Sequence, residues 1–345
     1  MKTAAAVLVE TGRPLAVTDL EIPELKPGQV LVDIAFSGVC RTQLLECRGY
    51  RGEDRHLPHC LGHEGSGVVS ETGPGVSKVK LGDRVILSWI KSTGADVPGT
   101  SYPWGSGCVN AGGITTFSRQ AVISENRLTL LKNDIPLREA AMLGCAVPTG
   151  LGAVFNTARP RAGESLAVLG VGGIGLCAVA AAALAGCMPV VAVDIRESTL
   201  HVARQMGATH CVISGNGNVR DELLRICPGG MDYAIEATGR PEVMRDALAS
   251  VRCQGGAAVI VGNAHHGEQM QVDPKEFNLG KRLLGTWGGD SVPDRDFPRY
   301  ARLLEAAKLD LRPMLAKIYS LDGINNALDD LEAGTVVRPL VDMTL

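Results

Sequence analysis

The spacing of hydrophobic positions changes near the middle of the 345-residue chain. Before about residue 130, short apolar runs such as Val30–Val32 and Val85–Leu87 are separated by Pro-Gly and Gly-Asp pairs. This pattern predicts an irregular β-rich domain, which begins with a strand over Ala4–Val9. From about Ala140, apolar runs of strand length alternate with segments of helical character. The alternation predicts βαβ units around a parallel sheet, so we expect an α/β protein.

The elements of the second part follow from the same pattern. The predicted strands are Leu166–Leu169, Val190–Val193, Cys211–Ile213, Tyr233–Glu236 and Ala257–Val261. The predicted helices between them are Gly173–Ala185, Ser198–Met206, Val219–Ile226 and Val243–Val251. The C-terminal part is predicted to contain helices at Phe297–Ala307 and Leu321–Glu332, followed by a strand at Arg338–Met343.

The stretch from Ser165 to Val193 has no charged side chain and is long enough to be considered as a transmembrane helix. Its glycines and Pro189 divide it instead into a strand, a glycine turn, an Ala-rich helix and a second strand. The N-terminal apolar run ends at Glu10 and is too short for a signal peptide. We therefore expect a cytoplasmic protein with no membrane partner.

Composition excludes further classes of function. Apolar residues make up 45% of the chain and charged residues 21%, as in a globular protein. The net charge of −3 provides no basic surface for a nucleic acid. The 42 glycines indicate tight turns and close backbone approaches. The 10 cysteines are scattered rather than dense, which favours free thiols in a reducing compartment, with one or two as metal ligands.

A glycine-rich turn follows the first predicted strand of the second part and opens a helix, as a dinucleotide-binding turn requires. The residues of this G-x-G-x-x-G pattern are Gly170, Val171, Gly172, Gly173, Ile174 and Gly175. Asp194 ends the second strand, where a carboxylate accepts hydrogen bonds from a ribose and repels a 2′-phosphate, which predicts NAD. Arg196 argues against this prediction of NAD, because a nearby arginine can bind the 2′-phosphate of NADP. A glycine turn without a ligand is the simpler alternative.

Cys40, His63 and Cys145 are the candidate metal ligands. Two thiolates and one imidazole leave the fourth position of a tetrahedral zinc site open, as a catalytic site requires. Spacing alone does not decide this, because a buried cysteine is commonly a small hydrophobic residue and a single histidine is commonly structural.

The order of the motifs resembles the zinc-dependent medium-chain alcohol dehydrogenases over essentially the whole chain, in particular the class that includes glutathione-dependent formaldehyde dehydrogenase. The matching segments are Gly38–Thr42, Gly62–Val69, Leu143–Gly150, Gly170–Gly175 and Gly334–Arg338. The resemblance implies a GroES-like catalytic domain of residues 1–146 and 288–345. It also implies a Rossmann domain of residues 147–287, a doubly wound parallel sheet, with zinc and cofactor in the cleft between the domains. The implied activity is the NAD-dependent oxidation of an alcohol or the reverse reduction.

The resemblance also implies roles for single residues. One catalytic zinc would be held by Cys40, His63 and Cys145, with Glu64 beside it as an exchangeable ligand. Thr42 would bind the substrate oxygen and start a proton relay, and Trp89 would form a wall of the substrate pocket. The implied cofactor-binding residues outside the glycine turn are Arg41, Thr149, Asp194, Arg196, Thr238, Val261 and Arg338. We further expect His59, Glu53 and Arg51 to line the outer substrate pocket.

The chain departs from the family at three places. Lys91–Gly113 contains only Cys108 where many members hold a structural zinc with four cysteines, so we expect no structural zinc and an irregular ordered loop. Gln43 replaces the Asp that normally orients the zinc histidine, and Leu45 replaces a relay histidine. The proton must then leave by another route or by water.

Two alternatives differ from this prediction, one in the metal and one in the activity. A zinc-free, NADPH-dependent quinone or enoyl reductase would lack the Cys and His ligands. A nucleotide-binding scaffold or lens protein of the same fold would not need the whole ligand set. The expected partner is a small alcohol or carbonyl compound whose identity the sequence leaves open. The family implies a homodimer, with a homotetramer as the alternative.

Overall fold

The computed structural model describes residues 1–215, 218–315 and 317–345. These residues form two compact units. The first unit consists of Met1–Cys145, Val292–Ala307 and Leu315–Leu345, and the second of Ala146–Ser291 and Lys308–Met314. Each unit is described by itself.

The described residues contain eighteen strands and ten α-helices. The strands are β1 (Lys2–Leu8), β2 (Ala16–Glu21), β3 (Gln29–Gly38), β4 (His59–Cys60), β5 (Glu64–Thr72), β6 (Arg84–Ser88), β7 (Ser101–Trp104), β8 (Gly107–Asn110), β9 (Gln120–Ser124), β10 (Leu128–Leu130), β11 (Leu166–Leu169), β12 (Val190–Asp194), β13 (His210–Ile213), β14 (Tyr233–Glu236), β15 (Ala257–Ile260), β16 (Arg282–Gly285), β17 (Ile318–Ser320) and β18 (Leu340–Asp342). The α-helices are α1 (Arg41–Cys47), α2 (Leu137–Ala140), α3 (Ala146–Gly152), α4 (Gly173–Leu184), α5 (Glu197–Gln205), α6 (Val219–Ile226), α7 (Pro241–Ser250), α8 (Lys275–Asn278), α9 (Pro293–Glu305) and α10 (Ile324–Ala333).

The first unit is β-rich, as the short apolar runs predict. One of its sheets has five strands in the order β2-β1-β4-β8-β7. The other has seven, in the order β10-β6-β5-β3-β18-β17, with β9 also paired to β3. Apolar side chains such as Val30, Val32, Val85 and Leu87 are fully buried between these elements. The long strand β3 contributes Val30, Val32 and Ile34 to this core, and it ends directly before the segment that begins α1.

The second unit contains one six-stranded sheet, β13-β12-β11-β14-β15-β16, in which every neighbouring pair is parallel. Its first three strands in the chain lie in reversed order and the next three in forward order, which is the doubly wound arrangement. Leu166–Leu169 is buried at every position, as expected for a strand covered on both faces. The predicted βαβ alternation is confirmed.

Strand β16 is an element that the hydrophobic pattern did not predict. Leu283 and Leu284 are the only two residues of this strand with apolar side chains, and Lys281 and Arg282 precede them. It lies at the edge of the sheet, where one side is not covered by another strand. An edge strand needs fewer apolar residues, so the pattern is too short to be recognised.

The uncharged stretch from Ser165 to Val193 forms β11, α4 and most of β12, as interpreted from its glycines. Among residues 1–215, 218–315 and 317–345, no single helix is long and apolar enough to cross a membrane. The segments Leu137–Gly144 and Ala146–Ala158 pass a test of length and composition only when they are taken together across a bend.

The segment Lys91–Gly113, expected to be an irregular loop in place of a structural-zinc lobe, contains a β-hairpin in its second half, whereas residues 91–100 form a loop as expected. Strands β7 and β8 pair antiparallel, and β8 also pairs with β4, so the hairpin extends the five-stranded sheet. Tyr102 is 1% exposed, and its hydroxyl accepts a hydrogen bond from the Val122 amide. Pro103 lies on the edge strand, where a missing amide hydrogen is tolerated. Pairing with the sheet overrides the turn-forming composition of this segment.

Glu125 anchors the loop that precedes this hairpin. The residue is 2% exposed. Its carboxylate accepts hydrogen bonds of 2.6–2.8 Å from the backbone amides of Ser77, Lys78 and Ala95. Burial acts to raise the pKa of Glu125, but the three amide hydrogen bonds outweigh it and leave the pKa below its ordinary value. The carboxylate is therefore stabilising in its charged form.

Glu125→Gln is expected to destabilise the first unit by about 2–3 kcal/mol at pH 7, because the amide nitrogen of Gln faces the Ala95 amide hydrogen. The pKa is lowered in the folded state, so the stabilisation is present above about pH 4.3 and is lost as the pH falls through the folded pKa. Urea unfolding of the unaltered protein and of Glu125→Gln, both metal-free, measures the difference in their free energies of unfolding between pH 7 and pH 3.5. The exposed Glu24→Gln is the control. A Glu125→Gln deficit that stays constant at every pH would contradict the role of the charge.

Candidate metal centre and cofactor site

The first ligand segment is the turn from β3 into α1. Cys40 is the residue before the helix, has extended backbone angles and is 4% exposed. Thr42 lies in the first turn of the helix, and its Oγ1 is 3.8 Å from the Cys40 Sγ. The seven-residue helix is too short to be stable alone, so its position depends on the packing of Leu44 and Leu45, both 3% exposed.

His63 and Cys145 complete the cluster. His63 directly precedes β5, and Cys145 follows a 3₁₀ turn at Ala141–Gly144. One ligand atom from each of Cys40, His63 and Cys145 lies within 4.8 Å of the other two. A Cβ at Gly144 would lie 2.2 Å from the Leu87 carbonyl oxygen, so only glycine lets the Cys145 segment reach β6. Three residues that are far apart in sequence therefore meet, as the motifs predict.

The electrostatics of this cluster suit a metal cation. The pKa of the Cys40 thiol lies well below its ordinary value, chiefly because of a hydrogen bond with Cys145. Burial opposes this effect, while the positive charge of Arg338 and the neighbouring His63 lower the pKa further. The Nε2 atom of His63 is buried and makes no hydrogen bond to any described residue. Two cysteines and an imidazole nitrogen that is free to coordinate are a donor set that zinc prefers, so the residues fit the ion.

Glu64 and Arg338 lie beside the cluster and form an ion pair with each other. Glu64 is fully buried and Arg338 is 4% exposed. The sequence assigned them separate roles, Glu64 as an exchangeable metal ligand and Arg338 at the cofactor pyrophosphate. Their pairing is a feature that sequence reasoning missed, because 274 positions separate them and no local pattern connects them. The charge of Arg338 also acts on Cys40, as described above.

His59 and Glu53, which are expected in the outer substrate pocket, each lie near another charged side chain. His59 Nε2 pairs with Asp54 Oδ2 at 2.6 Å, whereas Glu53 is highly exposed and lies 3.9 Å from Arg55. The backbone amide of Trp89 donates to the His63 carbonyl oxygen over 3.1 Å, which places Trp89 next to the metal cluster.

Glu46 is a further charged residue of this region that the sequence did not single out. Arg51, which was expected beside His59, has its Nε 4.0 Å from Glu46 Oε1. Burial raises the pKa of Glu46, while the charges of His63 and Arg51 oppose this shift. A signal was available, since a glutamate near the end of a mostly buried helix next to a ligand segment is unusual.

The glycine turn of the second unit has the predicted context between β11 and α4. Gly170 has a φ of +88°, and a Cβ at Gly175 would lie 1.9 Å from the Gly170 carbonyl oxygen. At Gly172, by contrast, a Cβ would meet no protein atom within 4 Å. Asp194, at the end of β12, accepts hydrogen bonds from the amides of Val171 (2.9 Å) and Arg196 (3.0 Å). The carboxylate thus lies beside the turn, where a ribose would be recognised.

Glu236, at the end of β14, holds the neighbouring turns. It is fully buried and accepts hydrogen bonds from the amides of Thr238 (2.6 Å) and Gly239 (2.9 Å). The Val261 amide donates to the Glu236 carbonyl oxygen over 2.9 Å, so Thr238 and Val261 share one anchor. Thr149, on α3, is 6% exposed, and its Oγ1 has no hydrogen-bond partner among the described residues. Sequence reasoning passed over Glu236, although a carboxylate that ends an apolar strand is a recognisable signal.

Comparisons with known proteins agree with this arrangement. The family model described as "Alcohol dehydrogenase GroES-like domain" matches residues 26–133, and that described as "Zinc-binding dehydrogenase" matches residues 173–306. The S-(hydroxymethyl)glutathione dehydrogenase of Paracoccus denitrificans is 33% identical over 374 aligned positions, which cover 99% of this chain and all of that protein.

Two solved structures are similar over 99% of both chains. An alcohol dehydrogenase zinc-binding domain protein from Burkholderia ambifaria is 30% identical with a TM-score of 0.91. The benzyl alcohol dehydrogenase of Acinetobacter calcoaceticus is 28% identical with a TM-score of 0.90. The β-rich first unit is thus a GroES-like fold and the six-stranded parallel sheet a Rossmann fold. The chain belongs to the zinc-dependent alcohol dehydrogenases of the medium-chain dehydrogenase/reductase family.

Proposed function

We propose that this chain oxidises a small alcohol with NAD⁺, or reduces the corresponding carbonyl compound with NADH, and that Cys40, His63 and Cys145 hold the zinc ion. The meeting of these three ligand atoms within 4.8 Å is the observation that carries the proposal. Residues 1–146 and 288–345 would form the catalytic domain and residues 147–287 the cofactor domain. We also propose a homodimer, which light scattering of the purified protein tests.

Bound zinc would supply a Lewis acid for the alcohol oxygen, and bound nicotinamide would accept the hydride. Oxidation of the alcohol also releases one proton. Thr42 Oγ1, 3.8 Å from the Cys40 Sγ, is proposed to relay it: the hydroxyl oxygen accepts the proton of the alcohol while the hydroxyl hydrogen of Thr42 passes to water. Leu45 is buried and apolar, so the proton does not continue through that position. Glu64 and Arg338 neutralise each other beside the site, which limits the net charge near the reacting oxygen.

A preference for NAD over NADP is proposed from Asp194. Its carboxylate ends β12 beside the glycine turn, and a 2′-phosphate there would meet a negative charge. We expect kcat/KM to be at least about 100-fold higher with NAD⁺ than with NADP⁺, since each 1.4 kcal/mol of repulsion is tenfold. Asp194→Ala should lower kcat/KM for NAD⁺ and narrow this ratio. A ratio near one in the unaltered protein, or a preference for NADP⁺, would contradict the assignment.

The activity itself is tested by zinc content and a panel of substrates. The panel includes benzyl alcohol, S-(hydroxymethyl)glutathione, 2,3-butanediol and ethanol, which sample the chemistry named for similar proteins. About one zinc per chain together with NADH formation supports the proposal. A metal-free protein that reduces quinones or enoyl compounds only with NADPH would contradict the proposal and would favour a zinc-free reductase of the same fold.

A further inference from the structure

The side-chain amide of Gln43 contacts both the beginning of α1 and the His63 ring. Its Oε1 accepts a hydrogen bond of 3.0 Å from the Cys40 backbone amide, and its Nε2 contacts His63 Nδ1. Gln43 is 1% exposed, so bulk water does not replace either contact. One buried amide group therefore joins two of the three proposed ligand residues.

The Cys40 contact fixes the orientation of the amide. A backbone N–H can only donate, so the Gln43 atom that faces it must be the oxygen. The other end of the amide is then an NH₂ group, which has two donors and no acceptor. The Nδ1 atom of His63 must accept, and a neutral imidazole that accepts at Nδ1 carries its hydrogen on Nε2.

A metal ion needs the opposite tautomer. Nδ1 is occupied by Gln43, so the buried Nε2 is the nitrogen available for coordination. Coordination there requires the hydrogen on Nδ1 and an acceptor opposite it. Gln43 can supply that acceptor only by turning its oxygen to His63, which places its NH₂ group against the Cys40 N–H. In the metal-bound state, one buried donor therefore faces another whichever way the amide is turned.

We propose that Gln43 sets the metal affinity of this site by favouring the His63 tautomer that does not coordinate. The inference rests on the proposed zinc ligation by Cys40, His63 and Cys145. A carboxylate of the same length has two acceptor oxygens and would satisfy Cys40 and His63 together. Mutation of a residue that hydrogen-bonds a metal ligand typically changes the metal affinity 10- to 100-fold. We expect a change in the same range for substitutions of Gln43.

Gln43→Glu tests the inference, because it replaces only the amide nitrogen by an oxygen. Competition of the full-length chain with a chromophoric zinc chelator should give a Kd about 10- to 100-fold lower than that of the unaltered protein. Gln43→Met removes both hydrogen bonds without adding charge. It is expected to bind zinc as tightly as the unaltered protein or more tightly, because the Cys40 amide is then unpaired in both states.

The tautomer separates hydrogen bonding from the added charge. In the metal-free chain with ¹⁵N-labelled histidine, the His63 ring should carry its hydrogen on Nε2, and on Nδ1 in Gln43→Glu. An unchanged or weaker zinc affinity in Gln43→Glu overturns the inference, as does a hydrogen on Nδ1 in the unaltered protein. If Cys145→Ser also leaves zinc binding unchanged, the proposed ligand set is wrong as well. If Cys145→Ser abolishes binding, only the role of Gln43 is wrong.

Discussion

Cys145→Ser is expected to remove zinc from the protein and to reduce alcohol oxidation at least about 1,000-fold. Structural zinc sites with four ligands contribute about 10–16 kcal/mol of binding free energy, so loss of one thiolate should weaken binding about 100-fold or more. Metal content by atomic emission and NADH formation measure the two effects on the same sample.

Cys60→Ser is the matched control for this substitution. Cys60 is 4% exposed and has C-x-x-H spacing to His63, but it is not among the residues whose ligand atoms meet. Its pKa is raised to about 12 by burial, as expected for a thiol that serves only in packing. Cys60→Ser should retain about one zinc per chain. Equal zinc loss in both variants would mean that the metal does not depend on Cys145.

Gly172→Ala is expected to weaken NADH binding roughly 10- to 100-fold without changing the fold. Gly172 has a negative φ and an extended backbone, and a Cβ there would meet no protein atom within 4 Å. The position lies in the glycine turn at the start of α4, where amides would face a pyrophosphate. A methyl group would occupy that space and cost about 1–3 kcal/mol of lost hydrogen bonding to the cofactor. Fluorescence titration with NADH and thermal unfolding without cofactor measure the two quantities separately.

Gly175→Ala, three residues further on, should behave differently. Its Cβ would lie 1.9 Å from the Gly170 carbonyl oxygen, so the turn and α4 must move apart. Overpacking of this kind costs about 1–3 kcal/mol or more, and we expect a lower Tm in the absence of cofactor. A fall in Tm for Gly172→Ala, or unchanged NADH binding by it, would contradict the assignment of this turn to the pyrophosphate.

Local sequence patterns were sufficient where each residue's role depends on its near neighbours. The parallel strands from Leu166–Leu169 to Ala257–Ile260 follow from apolar runs, because a strand buried on both faces must be apolar throughout. The glycine turn follows from the spacing of Gly170 and Gly175, because the close approach between them lies within one turn. The hydrophobic pattern failed for β16 and for the hairpin β7–β8, where pairing with a sheet rather than composition fixes the backbone.

The candidate ligands could be named from their motifs, but the sequence by itself determined only their chemical types and order. That Cys40, His63 and Cys145 meet, that Glu64 pairs with Arg338 and that Glu236 anchors two turns was decided by the tertiary structure. The same holds for Gln43, whose replacement of an Asp is visible in the sequence while its simultaneous contacts to Cys40 and His63 are not. Hydrogen bonds and ion pairs depend on distances of about 3 Å between atoms. Such distances between residues far apart in the chain are set only when the strands pair and the core packs.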